Sequence, residues 1–114
     1  MDIERIQPGA WNSKAVVYNS IVYLSGITAD DKKLPMKEQT QQILAKIDGL
    51  LAAAGTHKSR ILSATVYLAD MSKKDEMNEA WVAWIDPENP PARAAVGTNL
   101  TPETLVEIMV CAAK

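Results

Sequence analysis

Residues 105–113 have the sequence LVEIMVCAA, a run of apolar side chains that contains one charge. Its length and β-branched residues predict a strand, whose side chains alternate between the two faces of a sheet. Both faces of this strand are apolar, with Val106, Ile108, Val110 and Ala112 on one and Leu105, Met109 and Cys111 on the other. A strand of this kind needs a cover on each side. We therefore expect helices over one face and further copies of the chain over the other.

The charge in this run, Glu107, has a counterpart in Arg93, the only charged residue of a second predicted strand, residues 92–98. An ion inside a sheet is unfavourable by several kcal/mol unless another group compensates it. The two charges can compensate each other if the strands meet across a cleft or a subunit boundary, which would create a polar site in apolar walls, typical of a small-molecule pocket. A structural ion pair, or a Glu107 on a solvated face, fits the same spacing.

The first half of the chain predicts a hairpin followed by a helix. Residues 14–18 and 21–25 are rich in β-branched and aromatic side chains, and Asn19-Ser20 between them suits a two-residue turn. From Pro35 onward, apolar residues recur at helical spacing until Gly55, where the helix should stop. One face of this helix is expected to lie on the sheet.

The second half predicts a strand and a second helix before the Arg93 strand. Residues 61–69 alternate Leu62, Ala64, Val66 and Leu68 with Ser63, Thr65 and Tyr67, which gives the strand one apolar and one hydroxyl-rich face. A capping box that begins at Ser72 predicts the start of the second helix, which ends before Pro87. Its buried stripe comprises Met77, Ala80, Trp81 and Trp84.

These elements run strand, strand, helix, strand, helix, strand, strand within a single domain, residues 1–114. This order indicates an α+β fold with two helices on one face of a single mixed sheet. Two helices cannot cover both faces, so a closed homo-oligomer is expected.

Composition narrows the class of protein. The net charge is −2, and the twelve Lys and Arg residues are scattered, so no nucleic-acid partner is expected. No apolar stretch approaches the length of a membrane span, and residues 1–5 lack the start of a signal peptide, so we expect a soluble, cytoplasmic protein without a membrane partner. One cysteine, Cys111, excludes an internal disulfide, and one histidine, His57, makes a zinc site implausible.

Several short segments together carry a family resemblance. They are Val22-Tyr23-Leu24-Ser25-Gly26, Glu38-Gln39-Thr40, Ala52-Ala53-Ala54-Gly55, Ala64-Thr65-Val66-Tyr67-Leu68-Ala69-Asp70-Met71, Met77-Asn78-Glu79-Ala80-Trp81, Pro91-Ala92-Arg93 and Val106-Glu107-Ile108. On these segments the chain resembles the reactive-intermediate deaminase family, also called Rid or YjgF, over nearly its whole length.

The resemblance implies a chorismate-mutase-like ββαβαββ fold assembled as a homotrimer, with three clefts between neighbouring subunits. It implies hydrolysis of 2-enamines and 2-imino acids to 2-keto acids and ammonia, without a cofactor. It also implies that Ser25 and Gly26 line the pocket, that Asn78 contributes from the second helix, and that Ala95 offers its main chain.

The chemistry of the two charged residues agrees with this reaction. A 2-imino acid carries a carboxylate beside the reacting carbon, and Arg93 could bind it in a planar, bidentate way that lysine cannot copy. Water must attack the C=N carbon, and Glu107 is the carboxylate that could orient or deprotonate it. Read alone, Ser25-Gly26 is also typical of a strand end with a glycine turn, and Asn78 of a helix surface.

Three departures from the family pattern indicate a side branch. Many members have a tyrosine in a Pro-Tyr-Ser motif before the first hairpin, and Asn12 takes its place in the pocket here. Ala95 stands where members often carry Cys, Ser or Thr, which leaves only its backbone to act. The loop of residues 28–34 is shorter than usual, which changes the rim of the pocket.

Two other functions are consistent with the sequence. In the first, a trimer would hold a keto acid or another small carboxylate in the Arg93 pocket without turnover. In the second, the protein would have a nucleolytic or translational role. That role ranks last because basic clusters and aromatic platforms for RNA are lacking.

Overall fold

The computed structural model describes residues 2–114, which form six strands and two α-helices. The strands are β1 (Glu4–Pro8), β2 (Ser13–Tyr18), β3 (Ile21–Leu24), β4 (Ile61–Leu68), β5 (Ala92–Gly97) and β6 (Val106–Ala113). The helices are α1 (Met36–Ala53) and α2 (Lys74–Trp84), and 3₁₀ turns at Lys58–Arg60 and Met71–Lys73 precede β4 and α2. All strands join one mixed sheet in the order β1-β2-β3-β6-β4-β5. The β4–β5 pair is parallel, because α2 carries the chain back across the sheet between them.

Strand β1 corrects the predicted element order, which has no strand before residue 14. It pairs antiparallel with β2 and forms one edge of the sheet. Four of its five residues are exposed, and only Ile6 packs against the core. Without an alternating apolar pattern, the pairing of β1 rests mainly on backbone hydrogen bonds, which leave no signal in the sequence.

The predicted hairpin turn and the end of the first helix are confirmed. Asn19 and Ser20 both have positive φ angles, 55° and 66°, as a primed two-residue turn requires. Gly55 follows α1 with φ 83°, and its N–H donates to the carbonyl of Ala52 (3.0 Å). This left-handed glycine terminates the helix.

The predicted capping box at Ser72 is wrong. The side chain of Asp70 instead accepts hydrogen bonds from the backbone N–H (2.9 Å) and the hydroxyl (2.7 Å) of Ser72, and so caps the short 3₁₀ turn. Helix α2 then starts at Lys74 without a side-chain cap. Asp70, two positions before Ser72, thus binds the backbone N–H of Ser72 that the predicted capping box would have used.

Both helices lie on one face of the sheet, as the sequence predicts. The side chains of Val106, Ile108, Val110 and Ala112 are buried on that face. The opposite face, hereafter the open face, is uncovered within one chain, and Tyr23, Val96 and Met109 there are each more than 40% exposed. Ser63, Thr65 and Tyr67 also lie on the open face, as predicted. The predicted place of Leu62 on the apolar face is wrong, because a register shift between Ile61 and Ser63 buries Ile61 and leaves Leu62 50% exposed. Neither helix of the described residues is long and apolar enough to cross a membrane.

Candidate functional site

A β-bulge shapes the strand that carries Ser25 and Gly26. Tyr23 pairs with Cys111, whereas Ile27 pairs with Ile108, so the β3 side contains one residue more than the β6 side between these pairs. The N–H and the hydroxyl of Ser25 both donate to the carbonyl of Lys14 (2.9 and 3.3 Å), which secures the bulge against β2. Bulges of this kind commonly redirect side chains next to active sites.

The bulge places Gly26 directly beneath the side chain of Glu107. A Cβ atom at residue 26 would lie 3.0 Å from Cδ of Glu107 and closer still to Oε2, nearer than Cβ atoms approach other heavy atoms in proteins. Glu107 pairs with Tyr67 of β4, so its half-buried carboxylate lies on the open face. Because Gly26 has no side chain, the carboxylate of Glu107 can occupy the space above it.

Arg93 lies on the opposite face, beneath α2. It pairs with Ala64, a core residue, and its Cζ lies 5.1 Å from the ring centroid of Trp81. Nη1 is 3.8 Å from the sulfur of Met77. Partial burial lowers the pKa of the guanidinium, and no acidic side chain of residues 2–114 forms an ion pair with it. A half-buried cation on an aromatic ring with no acidic partner is suited to receive an anion.

Ala95 lies beside Arg93 on β5, whereas Asn78 lines a shallow depression with Lys37, Asp75, Glu79, Val82 and Ala83. Asn78 follows Met77 on α2 and is half-buried. Ala95 pairs with Val66 two residues beyond Arg93, on the same face of β5, and packs against the core. The Arg93 side of the candidate site thus consists of α2 and the edge strand β5.

Within one chain, the two charged residues do not meet. Arg93 and Glu107 lie on opposite faces of the sheet, and β4 separates their strands. The candidate residues therefore fall into two half-sites, one around Arg93 and one around Glu107. A mutual compensation of these charges would require residues from two chains.

Asn12 belongs to the end of the sheet that carries the Glu107 half-site. It lies in the exposed turn between β1 and β2, where its carbonyl accepts a hydrogen bond from the N–H of Gly9 (2.6 Å). It precedes by two residues Lys14, whose carbonyl binds Ser25. The structure thus puts Asn12 at the same end of the β2–β3 hairpin as the bulge.

A cleft of about 330 Å³ adjoins this bulge, between the start of β2 and the second half of α1. Its lining comprises Gln7, Lys14, Gly26, Ile27, Thr28, Lys46, Gly49 and Leu50. The ammonium group of Lys46 donates to the carbonyl of Thr28 and to Oδ1 of Asp30, both at 2.8 Å. The sequence pattern singles out none of the lysines here, because they are far apart along the chain.

Gln39 is a second feature that the sequence analysis missed. It is fully buried, and its Nε2 donates to the carbonyls of Lys32 (3.3 Å), Leu34 (3.0 Å) and Glu103 (3.1 Å). Its Oε1 accepts from the N–H of Leu105 (3.1 Å). Gln39 therefore ties the loop after β3 to the start of β6, the strand of Glu107. A signal did exist, because helical spacing puts this glutamine on the buried stripe of α1.

The chemistry available in these half-sites is that of an anion receptor and a carboxylate. His57 lies apart from them, and its Nδ1 accepts the N–H of Ser59 (3.2 Å) in the turn before β4. Within residues 2–114, no three His, Cys, Asp or Glu side chains converge to hold a metal ion.

Comparisons with known proteins give one consistent family. The profile of the family described as Endoribonuclease L-PSP matches residues 3–114. A RutC family protein of Haemophilus ducreyi is 47% identical over 102 residues, which cover 89% of this chain and 87% of that protein. The crystal structure of a YjgF family member from Neisseria meningitidis has a TM-score of 0.97 and 40% identity, with coverage of 100% and 96%. A Rid family protein from Yersinia pestis has a TM-score of 0.90 and 27% identity, with coverage of 99% and 100%.

Proposed function

This chain belongs to the Endoribonuclease L-PSP family and is a YjgF/Rid-type protein, and on that basis we propose that it hydrolyses 2-imino acids to 2-keto acids and ammonia. Substrates of this class arise as 2-enamines and tautomerise to imines. They are planar, carry a carboxylate beside the C=N carbon, and need only water for hydrolysis. The proposal includes a homotrimer, with each active site built from two neighbouring chains.

The observation that carries the proposal is the half-buried guanidinium of Arg93, which forms no ion pair with an acidic side chain of residues 2–114. It would accept the carboxylate of the substrate through two parallel N–H donors. Trp81 and Met77 support the guanidinium from the core side and limit its rotation. The imine carbon would then lie at a fixed distance from this anchor.

Glu107 supplies the second part of the mechanism. Its carboxylate would orient a water molecule and accept a proton from it as the oxygen attacks the imine carbon. The proton passes to nitrogen, and the resulting carbinolamine loses ammonia to give the keto acid. The N–H and the hydroxyl of Ser25 both donate to the carbonyl of Lys14, so Ser25, next to Gly26, would assist only as an acceptor for the water or the substrate nitrogen.

The separation of the two half-sites supports the trimer. Arg93 lies on β5, an edge strand that a neighbouring chain can approach, whereas Glu107 lies on the open face. The exposed apolar side chains of that face, Met109 among them, favour burial against other copies. Assembly would bring Arg93 of one chain to Glu107 of the next.

A second candidate function is the binding of a keto acid or another small carboxylate without turnover. The observation that favours it is Asn12, which stands in place of a pocket tyrosine found in many relatives, together with Ala95, which lacks a polar side chain. In this function Arg93 keeps its role, and Glu107 only positions water.

One experiment distinguishes the two functions. Purified protein is added to an amino-acid dehydratase reaction, and the decay of 2-iminobutanoate is followed against the uncatalysed background. Faster decay supports the hydrolase. Decay at the background rate, combined with measurable binding of 2-oxobutanoate, supports the binding function instead.

A further inference from the structure

The cleft beside the bulge carries an excess of positive charge. Lys14 and Lys46 line it and Lys32 lies near its rim, whereas the acidic side chains close to these lysines are Asp30 and Glu107. The hydrogen bond from Lys46 and its charge lower the pKa of Asp30, and the charges of Lys32 and Lys14 add to this effect. The whole protein has a net charge of −2, so this cluster is a local reversal of sign.

Two of the lysines retain donors for a ligand. Lys46 uses two of its three N–H groups, for the Thr28 carbonyl and for Asp30. Lys14 is exposed and forms no ion pair with any acidic side chain of the described chain. Gly49, on the helical wall, has nothing within 4 Å of the space a Cβ would fill, so the cleft stays open there. These features make a pocket of small-molecule size with cationic donors.

The cleft and the Glu107 half-site share Gly26, with α1 forming a wall of the cleft and the Glu107 carboxylate on the open face. Gly26 lines the cleft and also supports the carboxylate of Glu107. Lys32 connects the same two places: its ammonium group donates to the carbonyl of Ala29, and it is close enough to both Lys46 and Glu107 for their charges to affect it. Burial and the charge of Lys46 lower the pKa of Lys32, while Asp30 and Glu107 oppose that shift.

We propose that the cleft binds a second anionic group at the far end of the substrate, so that the preferred substrates are 2-imino acids with a second carboxylate. This inference rests on the proposed function, because it takes Arg93 as the receptor of the first carboxylate and Glu107 as the site of reaction. The chain of the substrate would extend from Glu107 past Gly26, and its terminal carboxylate would lie between Lys14, Lys32 and Lys46. The short loop of residues 28–34 contributes Lys32 to this arrangement.

The test measures binding of two keto acids of equal length, 2-oxoglutarate and 2-oxopentanoate, by calorimetric titration of the full-length protein. They differ in the terminal group, which is a carboxylate in the first and a methyl in the second. The wild type should bind 2-oxoglutarate about tenfold more tightly or better, the effect expected of one hydrogen bond between charged groups. The preference should weaken in high salt, because exposed charges are screened.

Substitutions then assign the preference to the cleft. Lys14→Gln, at an exposed position, and the double variant Lys14→Gln/Lys32→Gln should reduce the ratio of the two affinities towards one. Lys33→Gln is the matched control, since this exposed lysine lies in the same loop but does not line the cleft. It should keep the ratio of the wild type.

Equal affinity of the wild type for both ligands would overturn the inference, as would a preference that persists in both variants. Failure of the proposed hydrolase is a separate result, namely the absence of turnover for the imines that correspond to both 2-oxoglutarate and 2-oxopentanoate. A protein that prefers 2-oxoglutarate but hydrolyses no imine would retain the dicarboxylate site and lose the catalytic function.

Discussion

The carboxylate of Glu107 occupies the space that a side chain at residue 26 would need. Its Cδ would be 3.0 Å from a Cβ on Gly26, and Oε2 would be closer. The two residues are 81 positions apart in the sequence, and the bulge in the β3 extension brings them together. Glycine at this position is therefore a condition for the orientation of the carboxylate.

Gly26→Ala is expected to impair function more than stability. The new methyl group would push the flexible end of Glu107 aside, which leaves the backbone in place but moves the proposed base. Imine hydrolysis should fall by about tenfold or more, since general-base catalysis contributes roughly 10² or more to the rate. Steady-state kinetics and thermal unfolding of the same preparation separate the two effects.

Gly49→Ala is a control for stability alone, because a Cβ at residue 49 meets nothing within 4 Å but would lie in the wall of the proposed substrate cleft. It lies inside α1, where alanine stabilises a helix by about 0.5–1 kcal/mol relative to glycine. The melting temperature of Gly49→Ala should therefore rise. A wild-type rate of imine hydrolysis for Gly26→Ala would contradict the role assigned to Gly26.

Arg93→Lys should weaken the binding of pyruvate or 2-oxobutanoate by about tenfold or more, because a hydrogen bond between charged groups contributes roughly 1.5–3 kcal/mol. Lysine keeps the charge but lacks both the planar fork and the flat surface that stacks on Trp81. Calorimetric titration measures the change. Arg60→Lys is the control, since Arg60 is exposed and donates to backbone carbonyls near the C-terminus. Equal affinity of Arg93→Lys and wild type would place the ligand elsewhere.

Glu107→Gln should separate binding from catalysis. Glutamine preserves the shape and much of the polarity of the side chain but cannot accept a proton from water. Imine hydrolysis should fall by about 10²-fold or more, with little change in keto-acid affinity. Glu88→Gln, at an exposed position, controls for the loss of one negative charge. Full activity of Glu107→Gln would show that Glu107 is structural. The water would then have to be held by Ser25 and main-chain groups alone.

Gln39→Leu should destabilise the protein and loosen the Glu107 strand. The substitution leaves three carbonyls and the Leu105 N–H without their side-chain partner in a buried region. Each unsatisfied buried group costs about 1–3 kcal/mol, so a loss of at least ~3 kcal/mol is expected in denaturant unfolding.

Thr40→Val, the neighbouring buried position, is the control for Gln39→Leu. The Thr40 hydroxyl donates to the carbonyl of Met36 (2.8 Å), which can keep its bond within the helix. A loss of no more than about 1 kcal/mol is expected. Similar losses for the two variants would show that Gln39 contributes nothing beyond an ordinary buried hydrogen bond.

The homotrimer is tested by light scattering at micromolar concentration, with the wild type expected at three times the mass of one chain. Met109→Glu should dissociate it, because a charge would be buried in the centre of the open face. Val82→Glu introduces the same charge on the outer side of α2, where the side chain is 71% exposed, and should leave the mass unchanged. A monomeric wild type would remove the site between chains.

Most of the fold could be predicted because its signals are local. The alternation in residues 61–69, the helical spacing after Pro35 and the turn at Asn19-Ser20 each specify their element within a few residues. Strand β1 is not predicted, because it lies at the edge of the sheet and buries little more than Ile6. The capping box predicted at Ser72 is wrong because Asp70, an equally suitable cap two residues earlier, binds the backbone N–H of Ser72.

The sequence by itself determined which residue types are available for chemistry: an arginine and a glutamate in apolar strands, a Ser-Gly pair and an asparagine. Only the tertiary structure decided their arrangement, because side-chain direction depends on strand register, and register depends on pairing between distant segments. Pairing with β4 puts Arg93 and Glu107 on opposite faces, and a single bulge brings Gly26 under the carboxylate. The same long-range packing gathers Lys14, Lys32 and Lys46 around one cleft, because their separation along the chain says nothing of their distance in space.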